Sequence, residues 1–382
     1  MTRQLYVLMG FLMLTALLVV GQLYVVIPLT GAIAETFSAS PRLAAWSGTA
    51  FGFAYATGFL IFGPLSDRYG RRVVLLTGLV GTAVATALVG IAETMPSFLA
   101  ARALQGLIAA SFPPVALSLV AEALPPQRRP LGVSLISFAF LAAAPFAQFG
   151  GAAASGSPSQ LMLALAPFYL VMMLGLALSL PKGAGAAHAA QATEAVDGNK
   201  LLHNKKVVSA WIAALTVLFG FVTFQVATVL GAGSFDAQLV RLAGLPPLVL
   251  SLFAAPISAR FGAASTARIG LVIEAVGLLL CVSGAPMMVP AAALVSAGVA
   301  LAVPGLIATI AGAAANRNRG MALSVYTFTL FVGASLAPPV AGAIAPLGAA
   351  VLFGLPVALL IVALVAVTLS CGGYPLGRQA NA

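Results

Sequence analysis

Apolar residues run through this chain in long blocks, separated by short polar or glycine-rich breaks. Twelve blocks can be marked, at 5–29, 43–65, 73–92, 97–121, 131–153, 161–180, 207–230, 237–258, 267–285, 288–313, 321–343 and 347–371. Each approaches or exceeds the ~20 residues that an α-helix needs to cross a bilayer core. The pattern predicts an all-α polytopic membrane protein with twelve transmembrane helices. Glycine and proline inside the blocks do not argue against this, because neighbouring helices re-satisfy freed backbone groups and small residues allow close packing. The first block is too long for the ~7–15-residue apolar core of a signal peptide. It reads as an uncleaved first span, although Ala32, Ile33 and Ala34 imitate a cleavage site.

The longest polar break lies between the sixth and seventh blocks. Its composition, rich in Ala, Gly and Lys, is that of a flexible connection. The expected organisation is therefore a six-helix half at 1–181, a cytoplasmic linker at 182–206 and a second six-helix half at 207–382. With the N-terminus placed in the cytoplasm, the inner loops and tails collect Arg3, Arg68, Arg71, Arg72, Arg128, Arg129, Lys182, Lys200, Lys205, Lys206, Arg260, Arg268, Arg317, Arg319 and Arg378. Arg42 alone falls clearly in an outer loop, and Arg102 and Arg241 lie in or near span ends. Such asymmetry places both termini in the cytoplasm.

Composition agrees. Hydrophobic residues make up 61% and charged residues 7%, against the ~25% charge usual in soluble domains. The net charge of +10 reflects topology, so no nucleic-acid partner is expected. Cys281 and Cys371 fall in apolar runs and the only histidines, His188 and His203, lie in the linker. Neither pattern offers a disulfide framework, a metal site or a catalytic cluster. There is also no phosphate-binding Gly-rich Lys loop, and no cofactor is expected.

The chain repeats itself. "GPLSDRYG" at 63–70 recurs as "APISARFG" at 255–262, with Ala259 in the place of Asp67. The run into the fifth block resembles the run into the eleventh, Ser134 answering Ser324. Repeated six-span halves are a transporter architecture, with the substrate between them near mid-membrane.

"GPLSDRYGRR" at 63–72 resembles the signature that follows the second helix of the major facilitator superfamily, G-x-L-[AS]-D-[KR]-x-G-[KR]-[KR], at every specified position. "RALQG" at 102–106 resembles that superfamily's fourth-helix motif. "AAAPFAQFGG" at 142–151 is similar to a degraded fifth-helix antiporter motif, and 23–40 is similar to the first-helix end of bacterial efflux permeases. The resemblance covers essentially the whole chain. It implies two pseudo-symmetric six-helix bundles and a monomeric secondary transporter in the bacterial inner membrane. It further implies alternating access and export of small organic molecules by proton antiport. The alternatives are an uptake permease or exchanger for a small metabolite or sugar and, remotely, a polytopic membrane enzyme.

Candidate residues follow. Gly63 and Gly70 are expected to form a tight turn, with Asp67 among Arg68, Arg71 and Arg72. By the resemblance, Asp67 reaches the start of the eleventh helix near Gly320, with Glu122 joining it, as a latch between the halves. Arg102 reads either as a cavity-facing cation helped by Gln105 or as a residue snorkelling to the outer leaflet. Arg241 is divided between anchor and cavity. Gln22, Tyr24, Gln148, Gln225 and Tyr326 are further candidates to contact substrate. So few polar groups favour an apolar, amphipathic or small neutral solute. Glu274, the one acid clearly within a block, reads either as a buried carboxyl that could carry a proton or as a residue with a structural partner; the resemblance, which makes the ninth helix peripheral, favours the structural partner.

Overall fold

The computed structural model describes residues 3–125, 128–154, 157–180, 201–231 and 234–371. Twelve segments within it are helical, long and apolar enough to cross a membrane. They alternate in direction, so one face carries the loops around residues 70, 125, 204, 262 and 315. This is called the motif face, and the other the opposite face. Of the linker expected at 182–206, residues 182–200, with His188, lie outside the described residues.

The first span is α1 (Arg3–Tyr24), followed by the short α2 (Thr30–Thr36) on the opposite face. The block expected to run to residue 29 thus ends earlier, in a series of turns before Pro28. The second span, α3 (Pro41–Tyr69), starts on a Ser40 cap whose side chain accepts from the Leu43 N–H. The third is α4 (Arg71–Gly90). The fourth is split into α5 (Met95–Ala109) and α6 (Phe112–Ala123), because Pro113 and Pro114 have no N–H to continue a helix but fit the first turn of a new one. Then come α7 (Arg129–Ala153), α8 (Pro158–Ser179) and α9 (Lys205–Leu230). The eighth span is likewise split at Pro246 and Pro247, into α10 (Ala237–Gly244) and α11 (Leu250–Phe261). The last four are α12 (Ala263–Cys281), α13 (Met288–Ala313), α14 (Asn316–Ile344) and α15 (Ala349–Cys371).

The spans form two six-helix bundles. In the first, α1 packs on α7, α3 on α5 and α4 on α8; in the second, α9 packs on α14 and α15, and α12 on α13. The halves meet where α3 lies along α14 and α7 lies along α10 and α11. Large apolar side chains such as Leu178 and Leu369 point away from the bundles, as a lipid-facing surface requires. Inside, glycine sets the closest approaches. A Cβ on Gly106 would collide with the Phe51 carbonyl oxygen, so α5 touches the backbone of α3.

The internal repeat is geometric as well as sequential. Gly70 has φ 89° and ψ 136°, and Gly262 has φ 87° and ψ 146°, a left-handed φ that favours glycine. Beside each turn an arginine sits over the next aromatic ring, Arg68 on Tyr69 at 5.4 Å and Arg260 on Phe261 at 5.3 Å. One expectation needs correcting here. Gly63 does not belong to the turn, because α3 continues through it to Tyr69 and Gly70 alone reverses the chain. Gly63 instead faces the other half, where a Cβ would lie 3.6 Å from Ser324 Oγ.

Candidate functional site

Between the halves lies a cavity of about 100 Å³. Its walls come from both bundles: Tyr24 of α1, Tyr55 and Phe59 of α3, Phe140 of α7, and Tyr326 and Phe331 of α14. Aliphatic and proline side chains complete the lining, and Ser137 and Thr327 are its small polar members. Among the described residues, no charged side chain lines it. Aromatic contacts join the halves across this space, with Phe331 meeting Tyr55 edge-on at 4.8 Å and stacking on Phe59 at 5.3 Å.

Two of the sequence candidates, Tyr24 and Tyr326, are in the wall. The Tyr326 hydroxyl donates to the Val303 carbonyl at 3.3 Å. Tyr55 has a different status: it is fully buried and its hydroxyl has no hydrogen-bond partner in the protein. Pattern reading passed over Tyr55, Phe59, Phe140 and Phe331. In an apolar block an aromatic residue carries no mark of which helix face it occupies.

Arg102 is neither in the cavity nor at the lipid surface. Its side chain is 0% exposed, which removes the snorkelling reading, and it is absent from the cavity wall, which corrects the cavity-facing one. It bridges three helices. Nε donates to the Ser47 carbonyl at 3.2 Å, one terminal nitrogen to the Gln22 carbonyl at 2.7 Å, and the other to the side-chain oxygens of Gln105 and Gln22. The guanidinium also lies 4.5 Å from the Phe51 ring centroid. Gln105 passes the network on to Thr86 Oγ1 at 2.8 Å, and Gln22 donates to the Tyr169 hydroxyl at 2.8 Å. All these acceptors are neutral. The cation is held by carbonyl dipoles and a ring face, an arrangement that fixes a guanidinium by its fork geometry. Phe51 stacks on Tyr55 at 5.3 Å, so one ring separates the charge from the cavity wall.

Gln148, Gln225 and Arg241 also come together, away from the cavity and toward the opposite face. Gln148 donates to Gln225 at 3.0 Å and accepts from Arg241 Nε at 3.3 Å, all three being buried. Arg241 therefore neither anchors in lipid nor faces the cavity; it crosses from α10 to α7. Nearby, Thr49 donates to the Ser335 carbonyl at 2.9 Å, and Tyr24 meets Phe221 edge-on at 6.3 Å. These contacts close the space between the halves toward the opposite face.

At the motif face, Arg72 donates to the Ala177 carbonyl at 2.9 Å in the last turn of α8, where a helix gathers negative potential. Arg71 opens α4. The backbones of Asp67 and Glu122 are in α3 and α6, but their side chains lie outside the described residues, as does that of Arg317. The expected partner of Glu274 is not there. The carboxyl is fully buried, and neither oxygen has a hydrogen-bond partner. Among the described residues there is no group of three or more potential metal ligands.

Similarity to known proteins converges on one family. Multidrug resistance protein 3 of Bacillus subtilis (strain 168) is 28% identical over 201 residues, covering 53% of this chain and 36% of that protein. The tetracenomycin C resistance and export protein of Streptomyces glaucescens is 31% identical over 106 residues, covering 28% of this chain and 20% of that protein. The matches thus span about a third or less of these relatives. Among solved structures, the human organic anion transporter MFSD10 (TETRAN) superposes with a TM-score of 0.73 at 18% identity, over 96% of this chain and 100% of that one. The likeness shows the same fold. The sequence model of the Major Facilitator Superfamily matches residues 12–237 and 228–372, and the chain, a multi-pass membrane protein by its twelve apolar helices, belongs to that family.

Proposed function

We propose that the chain exports small organic molecules by alternating access, driven by proton antiport. The observation that carries this reading is the aromatic cavity between the halves, with polar contacts joining the halves on its opposite-face side. Its ~100 Å³ is below the ~300–1,000 Å³ of sites that hold drug-sized ligands. The halves must therefore move apart to admit a solute, and this conformer is a contracted one. A lining without charge suits an apolar or amphipathic solute. The names of the relatives, a multidrug resistance protein and an antibiotic resistance and export protein, support outward transport.

In this reading the motif face is cytoplasmic and the membrane is a bacterial inner membrane. The halves are 1–181 and 207–382, acting as a monomer. Gly63, Asp67, Arg68, Gly70, Arg71, Arg72 and Glu122 form the conformational switch at the motif face. Gln148, Gln225 and Arg241 form its counterpart at the other face. Arg102, Gln105 and Gln22 supply a fixed charge behind the cavity wall.

Everted membrane vesicles loaded with ethidium or puromycin test the proposal. Accumulation that requires an imposed pH gradient is expected. Accumulation indifferent to the gradient defeats antiport, and accumulation only in right-side-out vesicles favours the uptake alternative. Replacing Asp67 with Asn is expected to lower transport at unchanged membrane level; unchanged transport removes the latch.

A further inference from the structure

Asp67 and Glu122 lie in the last turns of α3 and α6, whereas Glu274 lies deep within its span, and it sits where an ionised carboxylate has nothing to meet. It lies on α12 between α9 and α13. A Cβ on Gly220 of α9 would lie 2.8 Å from Glu274 Oε1, and a Cβ on Gly298 of α13 would collide with the Glu274 backbone and its own Cβ. Two glycines therefore make the room this side chain occupies. Leu278 and Leu360 also lie beside Gly220. The backbone N–H of Phe221 interacts with the carboxyl without reaching hydrogen-bond geometry.

Charged groups on the packed elements are all remote along their helices. Lys205 and Lys206 of α9 and Arg260 of α11 are at the motif-face ends. On α12, Arg268 is six residues away, about 9 Å along the axis, and is bonded to Ala264 and Ser265. Cys281 ends the same helix, Cys371 ends α15, and α13 contains no titratable residue. A carboxylate buried without hydrogen bond or counter-charge is strongly disfavoured, so this packing accommodates the neutral acid.

The helix against which Glu274 presses also connects the halves. Within two turns of Gly220, α9 carries Leu218 in the cavity wall, Phe221 against Tyr24, and Gln225 bonded to Gln148 of the other half. We propose that Glu274 is a proton-binding carboxyl that couples to closure of the opposite face through α9. With the proton bound, α9, α12 and α13 pack as seen and Gln225 reaches Gln148. When α9 withdraws, water reaches the carboxyl, the proton leaves to it, and the charged side chain opposes repacking. This deepens the antiport reading by naming a residue for the proton, although closure sensitive to pH does not itself require antiport.

The test uses the purified full-length chain in lipid nanodiscs. Infrared spectra across a pH titration are expected to show a carbonyl stretch of a protonated carboxylic acid in an apolar setting, lost on alkalinisation and absent in Glu274→Gln. Spin labels at Glu93 and Ser283, exposed on the opposite face of the two halves, with both cysteines replaced, are expected to move apart with rising pH. In Glu274→Gln that movement is expected to be lost. Absence of a Glu274-dependent acid band, or a pH-dependent distance unchanged in Glu274→Gln, overturns the proposal. Should Glu274→Gln not fold, the wild-type band and its shift in Glu274→Asp decide the same point. If wild-type vesicles accumulate ethidium without regard to the pH gradient while both signals persist, antiport fails and the proton-sensitive closure stands.

Discussion

Gln148 on α7 donates its side-chain amide to Gln225 on α9 at 3.0 Å, joining the two halves of the fold. The same Gln148 accepts from Arg241 at 3.3 Å, so one amide holds two groups of the other bundle. Truncating it leaves Arg241 and Gln225 buried with a lost partner each. At ~0.5–1.5 kcal/mol per net hydrogen bond, with more where a buried donor is left unsatisfied, Gln148→Ala is expected to shift the population about tenfold or more away from this closed form. The readout is maleimide labelling of a cysteine placed at Thr49, which is 1% exposed here, in a background without the native cysteines. Faster labelling is expected in Gln148→Ala, and an equal rate refutes a gating role.

Arg102 makes the second prediction. Its guanidinium donates to carbonyls of α1 and α3 and to Gln105 on its own helix. Arg102→Lys cannot reproduce the fork, and Arg102→Ala leaves several buried acceptors unpaired. Each buried neutral acceptor left unsatisfied costs ~1–3 kcal/mol. Both variants are expected to lower the thermal melting temperature and abolish transport, Arg102→Ala most. Because Gln105 also bonds Thr86 at 2.8 Å, Gln105→Ala is expected to be non-additive with Arg102→Ala in a double-mutant cycle, by ~0.5–3 kcal/mol.

The contrast between these residues and the cavity explains what pattern reading captures. Span number, alternation and the repeat follow from block length and from Gly70 and Gly262, whose backbone demands are written in the residue type. Buried polar residues such as Arg102, Gln148 and Gln225 are legible as exceptions to an apolar background, but their partners are not. Gln148 and Arg241 are joined by helix packing between halves, which no local pattern records. Glu274 shows the opposite failure: a carboxyl in a span invites a partner, and the partner is absent because Gly220 and Gly298 provide space instead. Tyr55 and Phe331 leave no signal at all, since an aromatic residue serves equally well toward lipid, core or cavity.

The motif glycines separate into two physical cases. Gly70 has φ 89°, so Gly70→Ala forces a side chain into the left-handed region, at a cost of about 1–2 kcal/mol. A Cβ on Gly63 would make only ordinary contact with Ser324, and alanine is a better helix former than glycine by ~0.8–1.0 kcal/mol. Gly63→Ala is therefore expected to fold at least as well as the parent, and Gly70→Ala to melt at lower temperature. Fluorescence-monitored melting in detergent measures both, and the reverse order would contradict the assignment of the turn to Gly70 alone.

Tyr55 offers the cleanest probe of the cavity. Its ring is fixed by Phe51, Phe59 and Phe331, while its hydroxyl has no protein partner. Tyr55→Phe keeps every ring contact and removes only an unpartnered buried polar group, so stability is expected to stay within ~0.5 kcal/mol or to rise. Tyr326→Phe instead removes the bond to Val303 and is expected to cost ~0.5–1.5 kcal/mol. If the Tyr55 hydroxyl bonds a solute, Tyr55→Phe raises the KM for that solute several-fold without touching the melting temperature. Transport kinetics for a panel of solutes with and without hydrogen-bonding groups separate the cases. A KM unchanged for every transported solute would mean that the hydroxyl takes no part in recognition.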